Sequence, residues 1–414
     1  MIPKQSGNET NIKLPLSFII FSLLAFIISQ VIILTSGVTI INGVFRTPSI
    51  WAAAHLLILG WALMVAMGAM YQLVPVAFLT AIWNERFGFF QFGISALGIT
   101  SLSISLFYFP DLLLYGGTLT VIGILMFLYQ MFMTIKKQTN KNVLTLYIGS
   151  ALLCLLLTIL LGLLLALNLS TGQEIMEHLT ILKSHILVGV AGWFTLLIFG
   201  FSYKMVPMFS LAHGFSMKLS HWVVSIYLIG LVTTVGSFIL QRNYLFQLGL
   251  LFLAIAFGLF AYHISLIIKA RLKKKLDKPF VFSLMAIGFG FIIHSSAFLL
   301  SFFPSYYSFF GILIYLYIFN WIVFSIIGYL YKIVPFLWWT HRYSKLIGKE
   351  NVPTLKEMMN DNASIPIFSG FLIGSIGILF AYLFNSHILF LISQGIVTSI
   401  TITYCLMIIN VLRK

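Results

Sequence analysis

Three stretches of the sequence share one spacing: GWALMVAMGAMYQLVP at 60–75, GWFTLLIFGFSYKMVP at 192–207 and NWIVFSIIGYLYKIVP at 320–335. Counted from the tryptophan of each stretch, glycine follows at position +7, tyrosine at +10 and proline at +14. The tryptophans are 132 and 128 residues apart. Chance can supply one such match, but three at nearly equal spacing predict a threefold internal repeat.

Each residue type in this motif has a mechanical interpretation. The glycine would let a neighbouring helix approach closely. The tyrosine would anchor the helix end at the membrane interface. The proline would end or kink the helix.

Apolar residues dominate the whole chain: 60% of the 414 residues are hydrophobic, 8% are charged, and the mean hydropathy is +1.06. A water-soluble protein of this length cannot bury so much apolar surface. A membrane-spanning helix needs roughly 20 mostly apolar residues, and twelve such segments are present. They lie near 14–42, 51–79, 89–108, 112–135, 143–168, 180–207, 221–241, 244–268, 279–302, 306–338, 364–384 and 387–412.

These segments predict an all-α membrane protein with twelve transmembrane helices in three pseudo-repeats of four. The repeats cover approximately 14–135, 143–268 and 279–412, within a single membrane domain of residues 1–414. The polar segment 1–13 is followed by an apolar run too long for a signal peptide, so we predict a retained first helix there.

The basic residues predict the orientation of the chain in the lipid bilayer. If the N-terminus is cytoplasmic, 21 of the 24 Lys and Arg residues lie on the cytoplasmic side, and Arg46, Lys183 and Arg242 lie outside. Both termini are therefore predicted to be cytoplasmic, in a multi-pass protein of the cell membrane. Because this pattern accounts for the net charge of +15, no nucleic-acid partner is predicted. The run KARLKKKLDK at 269–278 is interpreted as a topology anchor, with a lipid-headgroup site as the alternative.

Several residue types that carry chemistry in membranes are scarce. All nine acidic residues lie in predicted loops or at helix ends, which argues against a carboxylate relay of the kind many carriers and pumps use. Cys154 and Cys405 lie inside apolar runs and have no metal-binding spacing, so they are predicted to be buried thiols. Tyr227 and Tyr317 are interpreted as packing residues, with a redox or proton-relay role as the alternative.

Histidines remain as candidate site residues. His55 lies in the second predicted helix, His185 in the sixth and His294 in the ninth. A histidine inside a membrane is costly unless it is paired, and neutral imidazole is a common ligand of haem iron and other metal ions. The alternative is a structural hydrogen bond across the helix bundle. His55 lies six residues before its repeat tryptophan and His185 eight, which places them about 200° apart on an α-helix and predicts two different ligands.

The motif and the number of helices resemble the catalytic-subunit superfamily of haem–copper oxidases and nitric oxide reductases, which includes cytochrome c oxidase subunit I. That family has twelve helices in three groups of four. Its second, sixth and tenth helices end in a run similar to GAMYQLVP, GFSYKMVP and GYLYKIVP here. The segment 320–339 is most similar to the family's tenth helix, and 218–230 is similar to the start of its seventh.

The resemblance implies only part of the family's cofactor ligands. His55 matches the second-helix histidine that ligates a haem, and His185 matches the sixth-helix histidine that ligates copper or iron. The two tenth-helix positions that carry histidine in the family read Leu313 and Tyr315 here. The family's histidine pair on the seventh helix has no counterpart near 231–238. A complete centre for reducing oxygen or nitric oxide is therefore not expected.

The sequence thus predicts a divergent relative of that family with a reduced haem or metal site. His55 and His294 are the candidate haem ligands, and His185 is the candidate contact to copper or iron. Such a protein would handle haem or copper, sense nitric oxide or redox state, or serve respiratory-complex assembly together with other membrane subunits. If it is an enzyme, it is an oxidoreductase of the terminal oxidase or nitric oxide reductase type.

Two alternatives stay open at this point. One is a cofactor-free transporter, channel or assembly scaffold that kept the fold and lost the site. The other is an active terminal oxidase or nitric oxide reductase with rearranged ligands.

Overall fold

The computed structural model describes residues 10–139, 141–174 and 176–414, so most of the predicted polar segment 1–13 lies outside the described residues. Within these ranges the predicted twelve helices are present, each long and apolar enough to span a membrane. They are α1 (Lys13–Thr35), α2 (Pro48–Phe78), α3 (Glu85–Tyr108), α4 (Pro110–Ile135), α5 (Val143–Thr171), α6 (His178–Ser210), α7 (Lys218–Leu240), α8 (Asn243–Lys269), α9 (Lys278–Leu300), α10 (Phe309–Leu346), α11 (Asp361–Leu383) and α12 (His387–Val411).

Two helix boundaries differ from the predicted ones by more than a few residues. α1 stops at Thr35 because Ser36 leaves the helical conformation, and a short separate helix, Gly37–Ile41, follows it. α10 continues to Leu346, beyond the predicted end at 338. Its 38 residues give a length of about 57 Å, so it exceeds a hydrocarbon core of ~30 Å, as its apolar length predicts.

Helix pairs recur along the chain in the same order. α1 packs extensively on α2 and α5 on α6, and α3 with α4, α7 with α8 and α11 with α12 form further close pairs. These hairpins are close because small residues face each other. A Cβ atom added to Gly98 of α3, for example, would lie 2.6 Å from the backbone nitrogen of Thr120 in α4.

The motif glycine lies where the first helix of the same repeat passes closest, as the sequence predicts. The atoms that a Cβ at this position would meet are the Pro15 carbonyl oxygen at 2.8 Å for Gly68, the Tyr147 Cβ at 2.8 Å for Gly200 and the Ser283 Oγ at 2.0 Å for Gly328. Since these distances are far below van der Waals contact, glycine allows the close helix spacing in α2 and α6, and in α10 a Cβ would require the Ser283 side chain to move.

The motif proline ends two of the three helices. In α2 and α6 it precedes the helix end by three residues, and the residue after that end, Leu79 or Leu211, is left-handed with φ of 54° or 55°. The carbonyl of Pro75 or Pro207 accepts the backbone N–H of that leucine. Pro335 instead lies inside α10, which runs on past it.

The motif tyrosines are buried inside the protein, and their predicted role as interface anchors stays a prediction. Tyr71, Tyr203 and Tyr331 are 0%, 5% and 1% exposed. Their hydroxyls bond inside the protein, to Gln91 Oε1 at 3.0 Å, His263 Nδ1 at 3.2 Å and the Asn360 carbonyl at 2.5 Å, respectively. The tyrosines therefore connect helices within the bundle.

A π-helical turn occurs at the same place in all three motif-bearing helices. It covers Leu56–Leu63 in α2, Leu187–Phe194 in α6 and Ile318–Val323 in α10, and each contains the motif tryptophan. π turns are rare in proteins, and those that occur are often found at functional sites. The predicted angle of about 200° between the directions of His55 and His185 assumed 3.6 residues per turn. That value does not hold through the π turns, which begin between each histidine and its motif tryptophan.

The described chain divides into two compact units. His55 belongs to the first unit, and His185 and His294 belong to the second. The first unit comprises Met1–Gln138, Asp277–Ser283 and Val323–Lys414, and the second comprises Thr139–Leu276 and Leu284–Ile322. The division into three repeats within a single domain stays a prediction.

Candidate cofactor site

His55 is the last α-helical residue before the π turn of α2. The helix begins at Pro48, with the Thr47 side chain accepting the Ile50 N–H as its N-terminal cap. Two turns later His55 is half-buried, and its Nδ1 lies 2.8 Å from the Trp51 carbonyl oxygen. A carbonyl only accepts, so Nδ1 carries the proton and Nε2 carries the lone pair. This is the tautomer that ligates haem iron through Nε2.

His185 lies against α5. Its ring is half-buried, and its Nδ1 donates to the Thr158 carbonyl at 2.9 Å. The ring occupies the space that glycine leaves open at Gly162, where a Cβ would lie 2.9 Å from the His185 Cε1. The described contacts of this side chain are thus those of a histidine that joins two neighbouring helices.

His294 is buried in the second unit with 7% exposure. Its Nδ1 donates to the Gly290 carbonyl one turn earlier in α9, at 2.8 Å, and its Nε2 lies 3.4 Å from the Tyr227 hydroxyl. That hydroxyl donates to the Ala191 carbonyl, in the π turn of α6, at 3.0 Å. Because the single Tyr227 proton is donated to the Ala191 carbonyl and the imidazole proton is on Nδ1, His294 Nε2 and the Tyr227 oxygen are in contact without a hydrogen bond.

Aromatic rings surround His294 and define what we call the central aromatic cluster. Its members come from five helices and are Phe199, Tyr227, Phe257, His294, Tyr317 and Trp321. The ring centroid of His294 lies 4.5 Å from that of Phe257 and 5.1 Å from that of Tyr317. The cluster fills the interior among α6, α7, α8, α9 and α10 of the second unit with ring carbon.

Thr195 forms hydrogen bonds to two residues of this cluster. Thr195 Oγ1 bonds the Tyr317 hydroxyl and accepts the Trp321 indole N–H at 3.2 Å. The equivalent indole nitrogens of Trp61 and Trp193 are buried and have no partner among the described residues. Sequence reasoning missed Thr195 and Trp321 as polar partners, because nothing in the motif distinguishes the three tryptophans.

The residues present do not fit a three-histidine metal centre. In the described ranges, no three or more His, Cys, Asp or Glu side chains come together in a way that could hold a metal ion. His185 bonds a carbonyl of α5, whereas His294 is enclosed by rings and a hydroxyl. The role of His185 as a contact to copper or iron stays a prediction, and so does the role of His294 as a haem ligand.

In the third copy of the motif, the position six residues before the tryptophan is Tyr315, where the first copy has His55. The Tyr315 ring stacks on Phe319 with 4.4 Å between centroids. The Tyr315 hydroxyl is buried and has no hydrogen-bond partner among the residues that the structure describes. The third copy of the motif thus replaces an imidazole with an aromatic packing residue.

Twelve helices in repeated pairs, with one motif and one π turn on α2, α6 and α10, define the fold class, which is that of the haem–copper oxidases. The chain is similar to a solved structure of this class, a haem–copper terminal oxidase dimer determined by cryo-EM, with a TM-score of 0.70. The match covers 98% of this chain and 85% of that chain, at 11% sequence identity. No protein-family model and no curated protein matches the sequence. The comparison confirms the predicted fold.

Proposed function

We propose that this chain is a divergent relative of the haem–copper oxidase catalytic subunit that binds haem through His55 and lacks a three-histidine metal centre. The observation that carries the proposal is the 2.8 Å contact between His55 Nδ1 and the Trp51 carbonyl. It holds the ring in the tautomer of an axial haem ligand. His55 also lies next to a π turn inside a membrane span, where an ionisable residue is a candidate for function by default.

The protein's own contribution would be to hold and orient the ligand. The Trp51 carbonyl fixes the ring of His55 and raises its basicity toward iron. A bound haem would supply one-electron chemistry or the binding of a small gas such as nitric oxide. The function that follows is redox or nitric oxide sensing, or the handling of haem for respiratory membrane subunits.

The test is the absorption spectrum and metal content of the full chain purified from haem-replete cells. We expect a Soret band with iron in the wild type, and loss of both in His55→Ala. The exposed His387 provides a matched control, since His387→Ala should keep the band. A wild-type preparation with no Soret band and neither iron nor copper would contradict the proposal.

A cofactor-free scaffold or transporter is the second candidate function. The central aromatic cluster favours it, because ring packing and hydrogen bonds occupy the interior of the second unit. This function predicts that His55→Ala and His185→Ala leave growth, bound partners and protein level unchanged. If either variant changes the spectrum of the purified protein, the cofactor-free function is wrong.

We also propose that both termini face the cytoplasm, since 21 of 24 basic residues then lie inside. Thiol labelling from outside intact cells provides the test. A cysteine introduced at Arg242 in the α7–α8 turn should react, and one introduced at Lys274 in the α8–α9 loop should not. The reverse pattern would overturn the orientation.

A further inference from the structure

The α6–α7 and α8–α9 loops of the second unit pair with each other through their backbones. Leu272 N–H donates to the Leu211 carbonyl and Lys273 N–H to the Ser210 carbonyl, both at 3.2 Å. Ala212 and Arg271 form an antiparallel bridge, which lies between the first of these bonds and a bond from the His213 N–H to the Ala270 carbonyl at 3.5 Å. The backbone of the basic run at 269–278 is therefore held in a defined conformation by hydrogen bonds to the α6–α7 loop.

The His263 side chain of α8 forms a hydrogen bond to the α6–α7 loop. Its Nε2 lies 2.9 Å from the Ser216 carbonyl and its Nδ1 3.2 Å from the Tyr203 hydroxyl. Because the carbonyl only accepts, Nε2 donates to it and Nδ1 accepts the Tyr203 O–H. The motif tyrosine of α6 is thereby connected to the loop that holds the basic run in place.

Five exposed cations share this end of the second unit. We define them as the basic loop surface: Lys218, Lys269, Arg271, Lys274 and Lys275. None of them forms a salt bridge within the described part of the chain. Clustered cations without counter-charges produce a positive potential that attracts anions.

The carboxylates of the described second unit lie at the other end of α6 from this surface. Within the second unit Glu174 and Glu177 lie beside the start of α6, at the opposite end of that helix from its last residue, Ser210. Asp277, the next acidic residue along the chain, forms an ion pair with Lys332 at 3.2 Å. The counter-charge therefore has to come from outside the unit.

Exposed apolar side chains lie among these cations. Leu272 in the middle of the basic run is 69% exposed, and Trp222, one turn after Lys218, is 66% exposed. A soluble polyanion would make no apolar contact with a leucine and a tryptophan in this position, whereas a membrane interface accommodates both side chains. We propose that the basic loop surface binds the headgroups of anionic phospholipids, with Leu272 and Trp222 entering the interface. This inference is independent of haem.

The test measures phospholipid bound to the delipidated full-length protein by native mass spectrometry, with phosphatidylglycerol and phosphatidylcholine compared. Each cation near an anionic membrane surface is worth about fivefold in affinity. We therefore expect Lys269→Gln/Arg271→Gln/Lys274→Gln to weaken phosphatidylglycerol binding by about a hundredfold, with phosphatidylcholine binding unchanged. The wild-type affinity should also fall as salt is raised, which checks the proposal without any variant.

A matched control removes three exposed cations from a different loop predicted to be on the same side: Lys136→Gln/Lys137→Gln/Lys141→Gln. The proposal expects wild-type lipid binding in this variant, whereas a role limited to topology expects the two triple variants to behave alike. Inorganic polyphosphate serves as the soluble probe. If it binds as tightly as phosphatidylglycerol and Leu272→Ser leaves both unchanged, the surface is a soluble-anion site and the lipid proposal is overturned.

Discussion

The sixth and tenth helices carry the same motif but differ in what surrounds it. Both have a π turn around the tryptophan and a glycine that admits the first helix of its repeat. α6 also has a histidine eight residues before its tryptophan and ends soon after its proline, whereas α10 has neither feature. The indole of Trp193 has no partner among the described residues, and that of Trp321 donates to Thr195. The scaffold of the repeat is thus conserved within the chain independently of its polar groups.

The largest expected effect concerns the motif glycines. Gly68→Ala would place a Cβ 2.8 Å from a backbone carbonyl of α1, so we expect a loss of about 2–3 kcal/mol in the free energy of unfolding. Gly328→Ala should cost less, because the closest atom is the Ser283 hydroxyl, which can rotate away. Thermal unfolding in detergent, followed through the reactivity of the buried Cys154 and Cys405 thiols, gives the measurement.

The control for this pair is Gly149→Ala, at a helical position where a Cβ would meet nothing within 4 Å. It should be neutral or stabilise by up to about 1 kcal/mol through helix propensity. Equal losses at Gly68, Gly149 and Gly328 would show that the motif glycines are not specifically required for helix contact.

Removing the Tyr227 hydroxyl tests the hydrogen bond between α7 and the π turn of α6. Tyr227→Phe leaves the Ala191 carbonyl without its 3.0 Å donor and is expected to destabilise by about 1–2 kcal/mol. Tyr262→Phe, at a 57% exposed position of α8, should be neutral. No difference between the two variants in thermal unfolding would contradict a structural role for this hydrogen bond.

The tryptophans provide a smaller and more direct comparison. Trp321→Phe and Trp193→Phe remove rings of the same size from buried sites, but only the first breaks an indole hydrogen bond, at 3.2 Å. We expect Trp321→Phe to be more destabilising by about 1 kcal/mol. Urea or thermal unfolding of the two variants side by side measures this difference. A reversed order would mean that the hydrogen bond to Thr195 makes no net contribution to the free energy of unfolding.

The smallest expected effect is a gain at the ends of α2 and α6. Leu79 and Leu211 have φ near +55° and are 83% and 51% exposed. Glycine adopts this conformation without the penalty of about 1–2 kcal/mol that a Cβ brings, so Leu79→Gly and Leu211→Gly should stabilise by up to about 1 kcal/mol. An unchanged or lower melting temperature in both variants would show that these leucines have apolar contacts that outweigh the strain.

Hydropathy and spacing predict much of the fold because lipid imposes length and apolarity on each span. The twelve helices and the three-copy motif follow from these alone. The buried motif tyrosines do not, because their partners Gln91, His263 and Asn360 lie in segments whose approach only tertiary packing determines.

The candidate site is less predictable from sequence than the fold. The position of His55 in α2 follows from its spacing to Trp61, but its tautomer depends on the Trp51 carbonyl. The central aromatic cluster joins side chains from helices that are distant in sequence, such as Phe199 and Tyr317, and no residue type in it marks a site. The π turns also have no recognised sequence signal here, since apolar residues such as those in Leu56–Leu63 are equally compatible with an α-helix.

The π turns determine register as well as shape. Each π hydrogen bond spans one residue more than an α-helical bond, so a single-residue deletion within Leu56–Leu63 can restore regular α geometry. Such a deletion would leave Pro48–His55 on nearly the same face of α2, because the wide turn already accommodates the extra residue, whereas a deletion in a purely α-helical segment would rotate it by about 100°. One residue can therefore be lost at the π turn without any substitution in the repeat that holds the bundle together and without changing the face on which the histidine is presented.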